Sequence, residues 1–242
     1  MRRRSEQPIR RSRGFIAGAA LVAVLVVAGI VVSLGALLGG HAGADGGEDS
    51  NGAPRAVASA MAGGSVCGLT GMESPGATLT EAPVTRWATV GTMAAPSSTT
   101  AGPGRKQSDG LRSCYAHTVT GALFAVANFW ATGSDPRLYR QIVQQNVAAG
   151  SGQAKALSAS GAPSNTGMSA QIAAFKISSY RPAAATVDVA LQTSDEQQVG
   201  FPVPLVWQDG DWKVQLADDG TPIFRPTILQ TLTGYIPWAG TK

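Results

Sequence analysis

A chain of 242 residues has room for one or two domains, and only 14% of it is charged. The net charge of +4 comes from residues 1–14, where Arg2, Arg3, Arg4, Arg10, Arg11 and Arg13 stand against Glu6; the other thirteen basic and fourteen acidic residues nearly cancel. A folded part without cationic excess excludes phosphate-backbone binding as its main activity, and the exported domain is expected to bind no nucleic acid directly. A basic tail of this kind suits anionic lipid headgroups instead.

From Phe15 to Leu38 no residue is charged. As a helix this stretch would measure about 36 Å, and a bilayer core needs about 20 residues. Arginines precede it, and Asp45, Glu48 and Asp49 follow it. The positive-inside rule then predicts a basic cytoplasmic tail over 1–14, a transmembrane helix over 15–38 and an exported remainder. A cleaved signal peptide would have an apolar core of only about 7–15 residues. Residues 39–65 are mostly Gly, Ala, Ser and Asp without apolar period, which predicts a flexible linker, with the exported domain over 66–242.

Cys67 and Cys114 are the only cysteines. Both fall on the exported side, where disulfides persist, so they are expected to pair. The closed loop of about 48 residues would contribute roughly 4 kcal/mol in the chain-entropy model. Cys114-x-x-His117 has ligand-like spacing, but no second close pair accompanies it, so no metal and no cofactor is expected. His117 reads as a loop or cap residue.

Val84, Trp87 and Val90 between Pro83 and Pro96 read as one short extended segment, and residues 97–113, rich in Ser, Thr, Gly and Pro, as a loop. Gly102-Pro103-Gly104-Arg105-Lys106 lacks the Gly-Lys-Ser/Thr ending of a phosphate loop and reads as a surface turn. A helix is expected from Thr118 or Thr120, either of which can cap it, with Val119, Leu123, Val126, Ala127 and Trp130 on one face. Asn128 within it reads as a satisfied core or solvent-facing amide. Asp135-Pro136 should open a second helix ending near Gly150, with Leu138, Ile142, Gln145 and Ala149 on its face; a weaker third covers 153–159.

Beyond Pro163 the period becomes two. Gln171–Tyr180 carries Phe175 and Ile177 on one face, and Thr186–Thr193 alternates Val187, Val189 and Leu191 against Asp188, Ala190 and Gln192. Phe201–Gln208 and Asp211–Leu216 flank Asp209-Gly210, a two-residue primed hairpin turn. That register sets Trp207 against Trp212 and Leu205 against Val214 on one side, with Lys213 and Gln215 on the other. The apolar stretch Pro226–Trp238 must finish the sheet or present a sticky surface. Helices followed by strands predict an α+β class: about three helices packed on a curved antiparallel sheet, behind the single N-terminal transmembrane helix.

The order of elements, with Val206-Trp207-Gln208-Asp209-Gly210-Asp211-Trp212-Lys213-Val214, resembles the nuclear-transport-factor-2-like fold, a cone of helices on a bent sheet. Over about 66–242, Cys67-Gly68-Leu69, Trp87, Gly102-Pro103-Gly104, Cys114-x-x-His117-Thr118, Thr120-Gly121-Ala122 and Gly234-Tyr235-Ile236-Pro237-Trp238 are similar to a family of actinobacterial membrane-anchored proteins often found with integrative conjugative elements. Their layout is similar to that of bitopic conjugation-channel subunits of type IV secretion systems, although those often carry two such domains. The resemblance implies a non-catalytic scaffold or interaction subunit in the cell envelope, with membrane lipid, envelope proteins or its own copies as partners. It implies no catalytic residue.

Two other classes make different demands on the residues. An accessory protein holding lipid or another apolar ligand would need a pocket lined by Trp, Phe and Met. An enzyme would need a carboxylate base in an apolar pocket. Asp188 is the one carboxylate inside a strand, and the alternation turns it away from Val187 and Val189 as a solvated sheet residue; Asp209 and Asp211 sit at a turn, and His117 is the domain's sole histidine.

Overall fold

The computed structural model describes residues 64–159 and 170–240. The predicted tail over 1–14, the span over 15–38 and nearly all of the linker lie outside them.

The first elements are β1 (Arg86–Val90) and β2 (Met93–Ser97), an antiparallel hairpin closed at Gly91-Thr92. Gly91 has φ 56° and lies so close to Ser134 that a side chain there would collide with the serine hydroxyl. Gln171 ties this hairpin to the main sheet, accepting from Ala94 N–H and donating to Thr92 O, both at 2.8 Å. Two short strands follow, β3 (Arg105–Lys106) and β4 (Arg112–Ser113), within the stretch expected to be a loop.

Helix α1 (Val119–Gly133) begins where its cap predicts. Thr118 Oγ1 accepts from Gly121 N–H at 3.0 Å, and Glu73 takes Val119 N–H at 2.6 Å. The helix is buried nearly all round because it lies between the β1–β2 hairpin and the main sheet. Asn128 is fully buried and satisfied: its amide donates to Pro96 O at 3.0 Å and Phe124 O at 2.8 Å, joining α1 to β2.

Asp135 caps a single 3-10 turn, Pro136–Leu138, which leads into α2 (Tyr139–Asn146). This helix stops before Gly150. Val147 leaves it in extended conformation to bridge Val214, and Ala148 N–H donates to Val214 O at 2.9 Å. Helix α3 is Ser151–Ser158.

The main sheet has the order β10-β5-β6-β7-β8, from β5 (Ala170–Arg181), β6 (Ala184–Thr193), β7 (Gln198–Gln208), β8 (Asp211–Val214), β9 (Thr227–Leu229) and β10 (Ile236–Pro237). β9 pairs the start of β7, beyond β8. Two register shifts bend β5 against β6, at Ile172/Ala174 and Ile177/Ser179. Asp209 (φ 55°) and Gly210 (φ 73°) supply the two left-handed residues of a primed turn, and Trp207 pairs Trp212 while Leu205 pairs Val214.

The apolar tail finishes the sheet rather than lying exposed. After β9 it crosses to the opposite edge, where Ile236 and Pro237 pair Phe175 and Ala174. Trp238 enters the core, its ring centroid 4.9 Å from Trp87, 5.4 Å from Phe124 and 5.6 Å from Phe175.

The expected fold class is corrected by these elements. Strand makes up 38% and helix 20% of the structure, so this is a sheet-dominated domain rather than a cone of helices on a sheet. Of the three helices among the described residues only α1 covers the sheet broadly; α2 packs on α3, on α1 and on β8. The β1–β2 hairpin adds a further layer on the far side of α1. The sequence shows one extended segment where the structure has two strands, because Gly91-Thr92 is not among the strong hairpin dipeptides. Among the described residues no helix is long and apolar enough to cross a membrane.

Candidate functional site

The residues singled out in the sequence converge on one end of the sheet. Cys67 and Cys114 form a disulfide, with Cα atoms 6.2 Å apart. Ser65 Oγ contacts both sulfurs, at 3.4 Å and 3.0 Å. Next to the bridge, Val66 N–H donates to Gly210 O at 2.8 Å on the tip of the β7–β8 turn. Ser65, read as the last residue of the linker, is therefore part of this fold together with Val66.

Asp211 holds the site together. It is 2% exposed, and its carboxylate accepts from the backbone N–H groups of Cys114, Tyr115 and Trp212, each at 2.9 Å. Lys213 Nζ adds a contact at 3.2 Å. Alternation puts Asp211 on the side of Lys213, away from the tryptophans. The Cys114–Tyr115 backbone covers that side at this point, which buries the carboxylate.

On the other side lies an aromatic stack. His117 is 1% exposed, not a loop residue at the surface. Its ring lies parallel to Trp207 with centroids 3.8 Å apart and meets Trp212 edge-on at 5.8 Å. His117 Nε2 donates to Pro182 O at 2.5 Å, and Tyr180 Oη donates to His117 O at 3.1 Å. Trp212 Nε1 donates to Ala116 O at 3.0 Å.

An open groove of about 400 Å³ runs beside the disulfide, walled by Val66, Arg105, Cys114, Gln145, Gln208 and Lys213 among others. Most of its polar groups already serve the fold. Gln153 Nε2 donates to the carbonyls of Val143, Gln144 and Val147 that end α2. Gln208 Oε1 accepts from Ala149 N–H at 2.6 Å, Gln145 Oε1 accepts from Gln107, and Lys213 donates to Gln145 O. Nothing in the local sequence marks these glutamines, because each is placed by contacts distant along the chain.

A second cluster lies on the outer face of the sheet. Asp188 is 7% exposed rather than solvated, because the tail covers it: Tyr235 Oη donates to its Oδ2 at 2.7 Å, and Lys176 lies 3.7 Å away. Burial first, then the hydrogen bond to Asp188, pushes the Tyr235 hydroxyl well above its ordinary value. Gly200 leaves the space, since a side chain there would meet Tyr235 Oη at 2.8 Å.

The Asp211 carboxylate is thus occupied by three backbone N–H groups and Lys213, and the His117 ring is buried against the face of Trp207 and the edge of Trp212. Among the described residues no group of three or more His, Cys, Asp or Glu is placed to hold a metal ion. No curated protein and no solved structure matches the chain. Residues 48–237 match the family model described as a domain of unknown function (DUF8175), beginning within the stretch read as linker and ending at Pro237, and the chain belongs to that family.

Proposed function

We propose that the protein is a membrane-anchored, non-catalytic interaction subunit of a cell-envelope complex. The filled interior carries this reading. The interior around α1, where an apolar ligand would sit, is occupied by Trp87, Phe124 and Phe175 packed around Trp238, and by Trp212 against Tyr180 and Trp207. A disulfide fits an exported location, and the uncharged stretch over 15–38 fits attachment to the membrane. Conjugative DNA transfer through a type IV secretion channel is the process to which the resemblance in sequence points.

The test is crosslinking in intact cells from a photoreactive residue at Val84, which is 93% exposed. Capture of envelope-channel proteins, or of further copies of this chain, supports the proposal. Capture of lipid alone would transfer support to a lipid-binding accessory role.

A further inference from the structure

The chain enters the described fold at the end of the sheet that carries the β7–β8 turn, through Val66 and Gly210. The β5–β6 turn lies at the same end, because Trp207 N–H donates to Ala183 O at 3.0 Å and Ala184 pairs with Val206. Arg105 lines the groove beside Val66, Lys106 follows it, and Arg181 closes β5. All three are exposed, and none pairs with an acid among the described residues. Two large apolar residues are exposed at the same end, Val66 at 50% and Met72 at 63%. Met72 bridges His117, whose ring holds Pro182, the neighbour of Arg181. Of the acids at this end, Asp211 is buried beside Lys213, Glu73 is half-buried where it accepts from Val119 N–H, and Asp209 is exposed at the tip.

We propose that this end of the domain docks on the anionic headgroups of the membrane. The inference rests on the membrane location proposed above. Residues 39–63 separate the uncharged stretch from this end, and at no more than about 3.6 Å each they keep it within about 90 Å of the bilayer. Cations and exposed apolar side chains at one end, Arg105 beside Val66 and Arg181 on the Met72 side, match a negatively charged interface, and each cation near such a surface contributes about a fivefold preference. Asp209 and Glu73 oppose two of the three cations, which leaves a net excess of one cation.

The experiment places the full-length protein in nanodiscs of phosphatidylcholine alone and of phosphatidylcholine mixed with phosphatidylglycerol. Amide exchange is then followed over residues 64–72, 104–107 and 181–184. Protection is expected with phosphatidylglycerol only. It should disappear in high salt and in the triple variant R105E/K106E/R181E, whose melting temperature should stay that of the wild type because these side chains are exposed and unpaired. Asp209→Asn, which keeps a good turn residue, should raise the protection about fivefold. Equal protection in both lipids would mean that another segment, such as the one holding Glu48 and Asp49, covers the patch, and would overturn the proposal. A protein that stays in the discs but shows no protection overturns the docking alone. A protein that joins neither disc overturns the membrane location and the docking together.

Discussion

Asp211 shows how one carboxylate joins two distant parts of the chain. Its oxygens hold Cys114 and Tyr115 from one segment and Trp212 from another, so the disulfide, the aromatic stack and the hairpin share an anchor. Asp211→Asn would set an amide donor against at least one backbone donor in a buried site, at a cost of about 3 kcal/mol. A urea midpoint unchanged from the wild type would refute this role. Tyrosines give the same region a pH dependence. Burial, and then the charge of Glu73, pushes the Tyr180 hydroxyl up to about 12. Burial likewise raises Tyr115, with Asp211 adding to it. Between about pH 10 and 12 the folded state keeps protons that the unfolded chain has released, so this stability is complete below pH 10 and is lost as pH rises through 12. Denaturant midpoints should fall steadily from about pH 10 upward. Tyr180→Phe should make the decline shallower while losing about 1 kcal/mol at neutral pH with the bond to His117. A wild-type midpoint that holds steady to about pH 11.5 would contradict the assignment.

At the scale of elements, the segment from Ser65 to Ala77 is held at isolated points rather than by regular pairing. Val66 bonds to Gly210, Met72 bridges His117, Glu73 takes the first N–H of α1, and Gly76 N–H donates to Tyr180 O. The disulfide is its one covalent fixture. Replacing both cysteines with serine should destabilise the domain by about 2–5 kcal/mol, and amide exchange should rise first over residues 65–77. Unchanged exchange there would mean that the scattered hydrogen bonds suffice. What the sequence made legible follows the same division. The β7–β8 hairpin, the Thr118 cap and the alternation of β6 depend on neighbours in the chain, and all were readable from turn chemistry or period. The β1–β2 hairpin, the early stop of α2 and the burial of His117 depend on distant partners, namely Ser134, Val214 and the pair Trp207–Pro182. No local pattern encodes those. The groove was hidden for the same reason, since its glutamines take their positions from the end of α2 and from β8.

For the molecule as a whole, the tail decides which faces of the sheet are closed. Alternation along β6 correctly set Asp188 opposite Val187 and Val189, yet that face proved to be covered, because residues beyond β9 run across it to reach β10. Period alone tells which side a residue faces, and only the path of the remaining chain tells whether that side is wet. Trp238 anchors the crossing: it fills the space between Trp87, Phe124 and Phe175, and its Nε1 donates to Thr85 Oγ1 at 2.9 Å. Tyr235 is the latch along the way. Trp238→Ala should therefore cost about 3–5 kcal/mol, as expected for a large core residue. Tyr235→Phe should cost about 1–3 kcal/mol, because it leaves the buried Asp188 without its hydroxyl donor. The two losses should not add. Once Trp238 is gone and the tail is loose, Asp188 regains water, and the tyrosine has little left to contribute. A double variant no less stable than Trp238→Ala alone would support one cooperative closure. Strict additivity would show that the two contacts hold the tail independently, and unchanged stability in Trp238→Ala would mean that the sheet is complete without the tail.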